Sequence, residues 1–471
     1  MPICNRRFGR RGQDGKTVRR ENEGGRGMKP LQTKYKALIG LLLFYLPFHI
    51  FLSPTYWDDA AYAKILGEYG NDLFQYTLTR YLNWSSRITI ELALPFLTTW
   101  PAVIWKSLNL FMIALLYWDL IWVLEYLFGL REKKTYVLTA VLLCAFPFSI
   151  MAQTGWIATT TNYLWVVSLG LYAINRMLKA GLVEERLSGG EILCAALAVF
   201  YCASFESMAA ILFLVEMGLF IYNRKAGRKC PAVVWICTGL TAAFLLYILG
   251  CPGNRLRPIS DARDWMPEYF ELSFADRLRM GILSSYMHFV SLPSPVFFIF
   301  NVVVFLAWRG ESAGKRFAAA LPALTDVAWT GWFMVNYLLG RRVFTYQTPV
   351  PLPERWTDLA EQGLLLLTVV IWFAVTFYTL FTRTQSGRPA AVILLLACIP
   401  EVAVGITPTV VASILRTMIY LYMALILLTV MLFKNGEERW PVFGRRFLWF
   451  CMGMGVLLNA CQISRHILLY G

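Results

Sequence analysis

Apolar stretches recur from residue 37 to residue 463, longer and more numerous than a water-soluble core can hide, and they commit this chain to a membrane. Hydrocarbon offers backbone N–H and C=O groups no partners, so each stretch is expected to be a helix that satisfies itself. The stretches fall near 37–53, 101–127, 135–152, 163–178, 191–205, 207–222, 231–250, 282–308, 317–338, 359–381, 389–406, 410–433 and 447–463, which gives about 13 transmembrane helices. Composition agrees: 58% of residues are apolar and 15% charged, with a mean hydropathy of +0.53. Soluble domains carry about 25% charged residues. The expected fold class is an all-α polytopic integral membrane protein, with a transmembrane domain over 37–465 and no large soluble domain.

Charge sets the orientation. Alternate connections are basic: Arg131/Lys133/Lys134, Lys179/Arg186, Arg224/Lys225/Arg228/Lys229, Arg309/Lys315/Arg316, Arg383/Arg388 and Lys434/Arg439/Arg445/Arg446. Basic loops stay on the cytoplasmic side. The chain therefore reads as a multi-pass protein of the cell membrane with its N-terminus inside and its C-terminus outside. The outer loops lie near 54–100, 251–281 and 340–358. Pro293 and Pro295 are expected to kink the 282–308 span or leave its first half re-entrant.

The net charge of +15 is concentrated at the start. Residues 1–36 hold 11 Lys/Arg against 3 Asp/Glu, with many glycines and no apolar periodicity. Such a segment reads as a disordered cytoplasmic tail that fixes topology and meets anionic lipid rather than nucleic acid. The first apolar run starts too late and lacks a small-residue cleavage site, so it reads as a retained span. The 10 cysteines form no CxxC pair and mostly sit in apolar stretches, as small buried hydrophobes do. His49, His288 and His466 are too scattered in sequence to suggest a zinc site. No phosphate-binding P-loop, Rossmann fingerprint or HExxH pattern is present.

Chemistry gathers in the outer loops. Asp58 and Asp59 stand side by side just past the first span, and repulsion between adjacent carboxylates raises the pKa of one toward that of a proton acceptor. Arg80, Trp84, Arg87 and Glu91 fall at helical spacing, so one face of an interfacial helix would carry two guanidiniums, an indole and a carboxylate. Arginine suits phosphate through its bidentate fork; the same spacing also suits an interfacial helix with snorkelling arginines. Pro252-Gly253-Asn254 reads as a tight turn that projects Arg255 and Arg257. Gln153 to Trp165 mixes hydroxyls, an amide and aromatics, with Trp156 and Asn162 suited to a sugar surface, although interfacial aromatics produce part of the pattern. Counting about 1.5 Å per helical residue puts Glu206, Glu401 and Arg416 toward the outer side and Asp119 and Asp326 near the midplane. Glu401 and Arg416, on consecutive spans, can pair. The midplane aspartates suit helix–helix hydrogen bonds at least as well as catalysis.

Taken in order, several short motifs resemble the GT-C superfamily of membrane glycosyltransferases, and more closely its bacterial branch around the Gtr-type O-antigen glucosyltransferases. They are Tyr-Trp-Asp-Asp at 56–59, Tyr81…Trp84…Arg87, Asn-Tyr-Leu-Trp at 162–165, Phe-Glu-Ser-Met at 205–208 and Pro-Gly-Asn-Arg at 252–255. The likeness spans roughly 37–465. It implies a sugar donor carried on polyprenyl phosphate, a glycan acceptor in the cell envelope, and an outward-facing site. Asp58 or Asp59 would act as the base. Arg255, Arg257 and Arg87 would serve the phosphate, with Arg80, Asn162, Glu206 and Asn254 beside them. A divalent metal is used in some branches, but no additional carboxylate cluster here supports one. Many members add a soluble outer domain after the last span; none is expected here. A transporter or flippase for an anionic or lipid-linked substrate is the rival expectation; it calls for two similar halves with broken midplane helices.

Overall fold

The computed structural model describes residues 28–53, 56–292, 294–341 and 352–470. Residues 1–27 of the basic tail, Pro293 and the core of the loop near 340–358 lie outside the described residues. Among the described residues every regular element is helical, with a single isolated β-bridge between Gln153 and Gly155.

The first helix, α1 (Met28–Phe51), begins inside the segment expected as a disordered tail, so the boundary at residue 36 moves back. Lys34 explains why: it pairs at 3.2 Å with Glu125 near the end of α5 (Ala102–Tyr126), which fastens this end of the helix to its neighbour. Between α1 and α5 the connection expected as the first outer loop folds into three short helices, α2 (Asp58–Glu68), α3 (Leu73–Asn83) and α4 (Ile88–Thr99). Asp72 caps α3 by accepting from the N–H groups of Phe74 and Gln75.

Pro147 follows α6 (Lys133–Cys144) and stops it from continuing. Asn459 satisfies the ends left open, donating to the Cys144 carbonyl at 2.8 Å and accepting from the Phe148 N–H at 2.9 Å. After a bend, α7 (Trp156–Thr159), a π-helical turn (Thr160–Leu164) and α8 (Trp165–Gly181) run on as one 26-residue span. Then follow α9 (Gly189–Cys202), α10 (Glu206–Lys225), α11 (Ala232–Gly250) and the polar α12 (Gly253–Trp265). The next segment breaks as its prolines suggest. Helices α13 (Phe274–Ser291) and α14 (Pro295–Leu306) meet at 91°. The C-terminal part comprises α15 (Ala313–Leu338), α16 (Trp356–Arg383), α17 (Gly387–Val404), α18 (Val410–Thr417), α19 (Ile419–Gly436) and α20 (Val442–Tyr470).

All thirteen apolar stretches carry helix, but among the described residues nine runs are long and apolar enough to cross a membrane, or ten if the bent α13–α14 pair is one span. The shortfall has local causes. Helices α6 and α9 have 12 and 14 residues, and α15 carries Pro322, Asp326 and Asn336.

The carboxylates inside these helices join neighbours. Asp119 of α5 accepts from Asn175 of α8 at 2.9 Å, and Asp326 of α15 accepts from Asn301 of α14 at 3.1 Å. Glu216 of α10, which the sequence did not single out, accepts from Thr241 of α11 at 2.8 Å. His49 completes a buried chain with Asn109 and Trp165 that ties α1, α5 and α8 together. Asp119 Oδ2 has no further partner. Replacing Asn175 by Leu should therefore strand the whole carboxyl group and lower stability by about 1–3 kcal/mol. A melting temperature in detergent equal to that of the wild type would show the bond to be dispensable.

Candidate functional site

The two adjacent aspartates open α2 and then part company. Asp59 is fully buried, and its carboxylate accepts from the N–H groups of Ile157 (3.0 Å) and Ala158 (2.8 Å) in the first turn of α7. An anion is favoured at a helix N-terminus, where N–H groups lack partners within the helix. The approach needs Gly155: its φ is +130°, and a Cβ there would lie 2.6 Å from Asp59 Oδ1. Burial pushes the Asp59 carboxyl up from 3.8 to about 7; the Ala158 and Ile157 N–H groups oppose this, and the charge of Asp58 adds to it. Asp58 is half-buried, and its carboxylate has no hydrogen bond or ion pair among the described residues. Its backbone N–H donates to the Thr154 carbonyl at 2.8 Å, which fixes its position against the same segment.

The expected single helix bearing Arg80, Trp84, Arg87 and Glu91 is broken into α3 and α4. The backbone turns at 84–87, where Ser85 Oγ accepts from the Arg87 N–H at 3.2 Å, a local bond that competes with helix. The side chains still meet across the break. Arg80 grips Glu91 with two bonds (2.8 and 3.0 Å), Tyr76 donates to the same carboxylate at 2.8 Å, and Arg80 reaches the Tyr62 hydroxyl at 3.1 Å. Burial, first, and then Glu91 push the Tyr62 phenol up; Arg80 and Arg257 pull it down while Asp58 pushes. Tyr62 therefore marks where the charges of α2, α3, α4 and α12 converge.

Pro252-Gly253-Asn254 is not a tight turn but the start of α12. A Cβ on Gly253 would lie 2.3 Å from the Trp84 N, so the helix begins pressed against the α3–α4 break. Two residues apart on a helix point roughly 200° apart, and the two arginines accordingly diverge. Arg257 lies over the Trp84 ring at 4.8 Å and pairs with Asp261 at 3.0 Å. Arg255 is exposed, with no partner among the described residues. Asn254 turns inward, donating to Ser86 Oγ (3.0 Å) and the Ile248 carbonyl (3.2 Å).

A second knot joins the start of α4, the π-helical turn and α10. Arg87 pairs with Glu206 at 3.0 Å and donates to Asn162 Oδ1 at 3.3 Å, while its guanidinium lies 4.1 Å from the Phe205 ring centre. Glu206 is thus a partner for arginine rather than a lone carboxylate. Asn162 sits in the π-helical turn, a local widening that often marks functional positions.

Glu401 and Arg416 do not pair. Glu401 accepts from Thr417 at 3.1 Å, whereas Arg416 turns the other way, donating to Thr154 Oγ1 at 3.1 Å and to the Ala412 carbonyl at 3.0 Å. Arg416, expected only at a height like that of Glu206 and Glu401, joins this cluster through Thr154, and Tyr62 joins it through Arg80. Among the described residues no group of three His, Cys, Asp or Glu comes together as a metal site. Two cavities lie elsewhere: an apolar one of about 60 Å³ beside Trp372 and Glu401, and a charged cleft of about 410 Å³ between 180–192 and 223–233.

No family model, curated protein or solved structure matches this chain. The chemistry must be read from the cluster itself. It offers a half-buried carboxylate held in place by its backbone, with Tyr62 one helical turn on receiving Arg80, and Thr154, which anchors the carboxylate's backbone, receiving Arg416. That combination can take a proton from a hydroxyl and receive an anion.

Two outcomes follow for Asp59. Because its folded value of about 7 exceeds the ordinary 3.8, folding favours the protonated form. Its contribution to stability is complete below about pH 4 and is lost as pH rises through about 7. Asp59→Asn should flatten the pH dependence of the melting temperature across that window, and an unchanged slope would assign the dependence to another group. Gly155→Ala should cost about 1–3 kcal/mol through strain and the clash with Asp59, read as a lowered melting temperature.

Proposed function

We propose that the protein is a membrane glycosyltransferase of GT-C type, moving a sugar from polyprenyl phosphate to a cell-envelope glycan or lipid-linked acceptor at the outer face of the cell membrane. The observation that carries the reading is Asp58: a half-buried carboxylate with no hydrogen bond or ion pair among the described residues, fixed by its backbone to Thr154, one helical turn before Tyr62, whose hydroxyl accepts from Arg80. In this mechanism Asp58 takes the proton of the acceptor hydroxyl, the acceptor oxygen bonds to the anomeric carbon, and the bond from that carbon to the phosphate oxygen breaks. Polyprenyl phosphate leaves as an anion that the site must stabilise. Asp59 holds α2 against the start of α7 and so positions Asp58.

The same reading takes α6, α9, α15 and the α13–α14 pair as crossings beside the nine qualifying runs, for 13 in all, with the N-terminus cytoplasmic and the C-terminus outside. Of the arginines that the resemblance implies for phosphate, Arg87 and Arg257 already hold Glu206 and Asp261, and Arg255 is exposed. A transporter or flippase has less support. The carboxylates within the helices are bonded one by one to adjacent helices rather than strung along a path.

Sugar transfer is tested with the purified protein, radiolabelled polyprenyl-phosphate hexoses and envelope glycan acceptors. Asp58→Asn, folded as judged by its melting temperature, should lower transfer by about 10²–10⁴-fold, the usual contribution of a general base. Transfer at the wild-type rate would remove Asp58 from the chemistry. Movement of the lipid-linked sugar across proteoliposomes without any transfer would favour the flippase.

A further inference from the structure

Three guanidiniums at the α3–α4 break and on α12 are neutralised within the fold. Arg80 holds Glu91 at 2.8 Å, Arg87 holds Glu206 at 3.0 Å and Arg257 holds Asp261 at 3.0 Å. Each pair keeps its cation occupied, and opening one would leave a carboxylate partly buried without its partner.

Arg416 differs. It is half-buried at the end of α18, and no carboxylate pairs with it among the described residues. Its acceptors are all neutral: Thr154 Oγ1 at 3.1 Å, the Ala412 carbonyl at 3.0 Å and Ser413 Oγ at 3.4 Å. Its Nε is buried without a hydrogen-bond partner. The guanidinium lies 5.6 Å from the centre of the Tyr163 ring, in the π-helical turn that also carries Asn162. Neutral acceptors orient a guanidinium while leaving its full positive charge uncompensated, which is the state of an arginine ready for an oxyanion.

Its position is tied to that of Asp58. Thr154 receives Arg416 on its side-chain oxygen and the Asp58 N–H on its carbonyl, so one residue anchors both groups. Gln153 adds a second tie by donating to the Ala412 carbonyl at 2.8 Å, the acceptor that Arg416 also uses. A carboxylate and a guanidinium, neither paired with an opposite charge, are thus held on the two sides of a single residue.

Resting on the glycosyltransferase reading, we propose that Arg416 is the residue that binds the phosphoryl group of the lipid-linked donor, while Arg80, Arg87 and Arg257 hold the site together. The ligand class is a phosphate ester or free phosphate dianion, recognised by a charge-assisted fork. The full-length protein in nanodiscs is tested with radiolabelled polyprenyl phosphate and, as the neutral probe, the matching polyprenol. Wild type should retain the phosphate and not the alcohol. Arg416→Gln should weaken retention by about ten-fold or more, whereas the same charge loss at exposed Arg263 (Arg263→Gln) should leave it unchanged. Equal retention by folded Arg416→Gln, or equal retention of the alcohol by wild type, overturns the proposal.

Competition by inorganic phosphate would assign recognition to the phosphoryl group alone; competition only by unlabelled polyprenyl phosphate would assign it to the lipid-linked form. Both results support the proposal. Should Arg416→Gln fail to fold, modification of the wild type by phenylglyoxal decides. Polyprenyl phosphate should shield Arg416 in peptide mass spectra, and unchanged modification counts against the site. Binding that depends on Arg416 without sugar transfer would sink the transferase reading and leave this assignment standing. Transfer that depends on Asp58 with binding indifferent to Arg416 would do the reverse.

Discussion

The contact between Asp59 and the first turn of α7 organises the end of the molecule that carries the cluster. A buried carboxylate is costly unless it is hydrogen-bonded, and here the N–H groups of Ile157 and Ala158 supply the bonds. Gly155 makes room, because any side chain there would collide with the carboxylate. This one contact joins the loop after the first span to a segment nearly 100 residues away. Once it forms, the direction of α2 is set, Asp58 is turned away from the interior, and its N–H meets the Thr154 carbonyl. Two chemically identical neighbours acquire different environments because successive residues of a helix point about 100° apart. Only one of them can face the helix terminus.

Charge pairing then divides the remaining ionic groups into those that hold and those that remain available. Arg80–Glu91 closes the gap between α3 and α4, Arg87–Glu206 joins α4 to α10, and Arg257–Asp261 lies within α12. These arginines also lean on rings, Arg80 and Arg257 both on Trp84 and Arg87 on Phe205, which adds cation–π attraction to the ion pairs. Several short helices with small apolar faces gain a fixed arrangement in this way. Among the described residues, Asp58 and Arg416, both tied to Thr154, have no opposite charge paired with them, and neither does the exposed Arg255.

The apolar runs, their helicity and the break before α14 were legible in the sequence, because hydrocarbon demands helices and Pro295 forbids a continuous one. Span number was less so. Twelve residues of α6 look like part of a longer run until Pro147 ends the helix and Asn459, more than 300 residues on, satisfies the loose ends. The acidic pair and the arginines of the first outer loop were visible as residues but not as partners. The period of Arg80, Trp84, Arg87 and Glu91 is helical, yet Ser85 Oγ accepts from the Arg87 N–H and Asn254 Oδ1 from the Ser86 N–H, and these alternative bonds divide the helix. Pro252-Gly253 misled for a related reason: proline starts helices as readily as it makes turns. Arg87 with Glu206 and Arg416 with Thr154 are separated by 119 and 262 residues, and nothing in either local segment specifies the other.

The charges inside the helices show why a carboxylate in an apolar run is weak evidence of function by itself. Asp119, Glu216, Asp326 and Glu401 each accept from an amide or hydroxyl on an adjacent helix. A hydrogen bond of this kind fixes which helices sit together and in what register, where apolar side chains alone would permit sliding. Such bonds demand only a donor within reach, and neighbouring helices provide one readily. A reactive carboxylate demands the opposite: a fixed backbone, access from outside and no donor already bound. Of the acidic residues considered around this cluster, Asp58 meets all three conditions, and it does so because its neighbour Asp59 has taken the interior position.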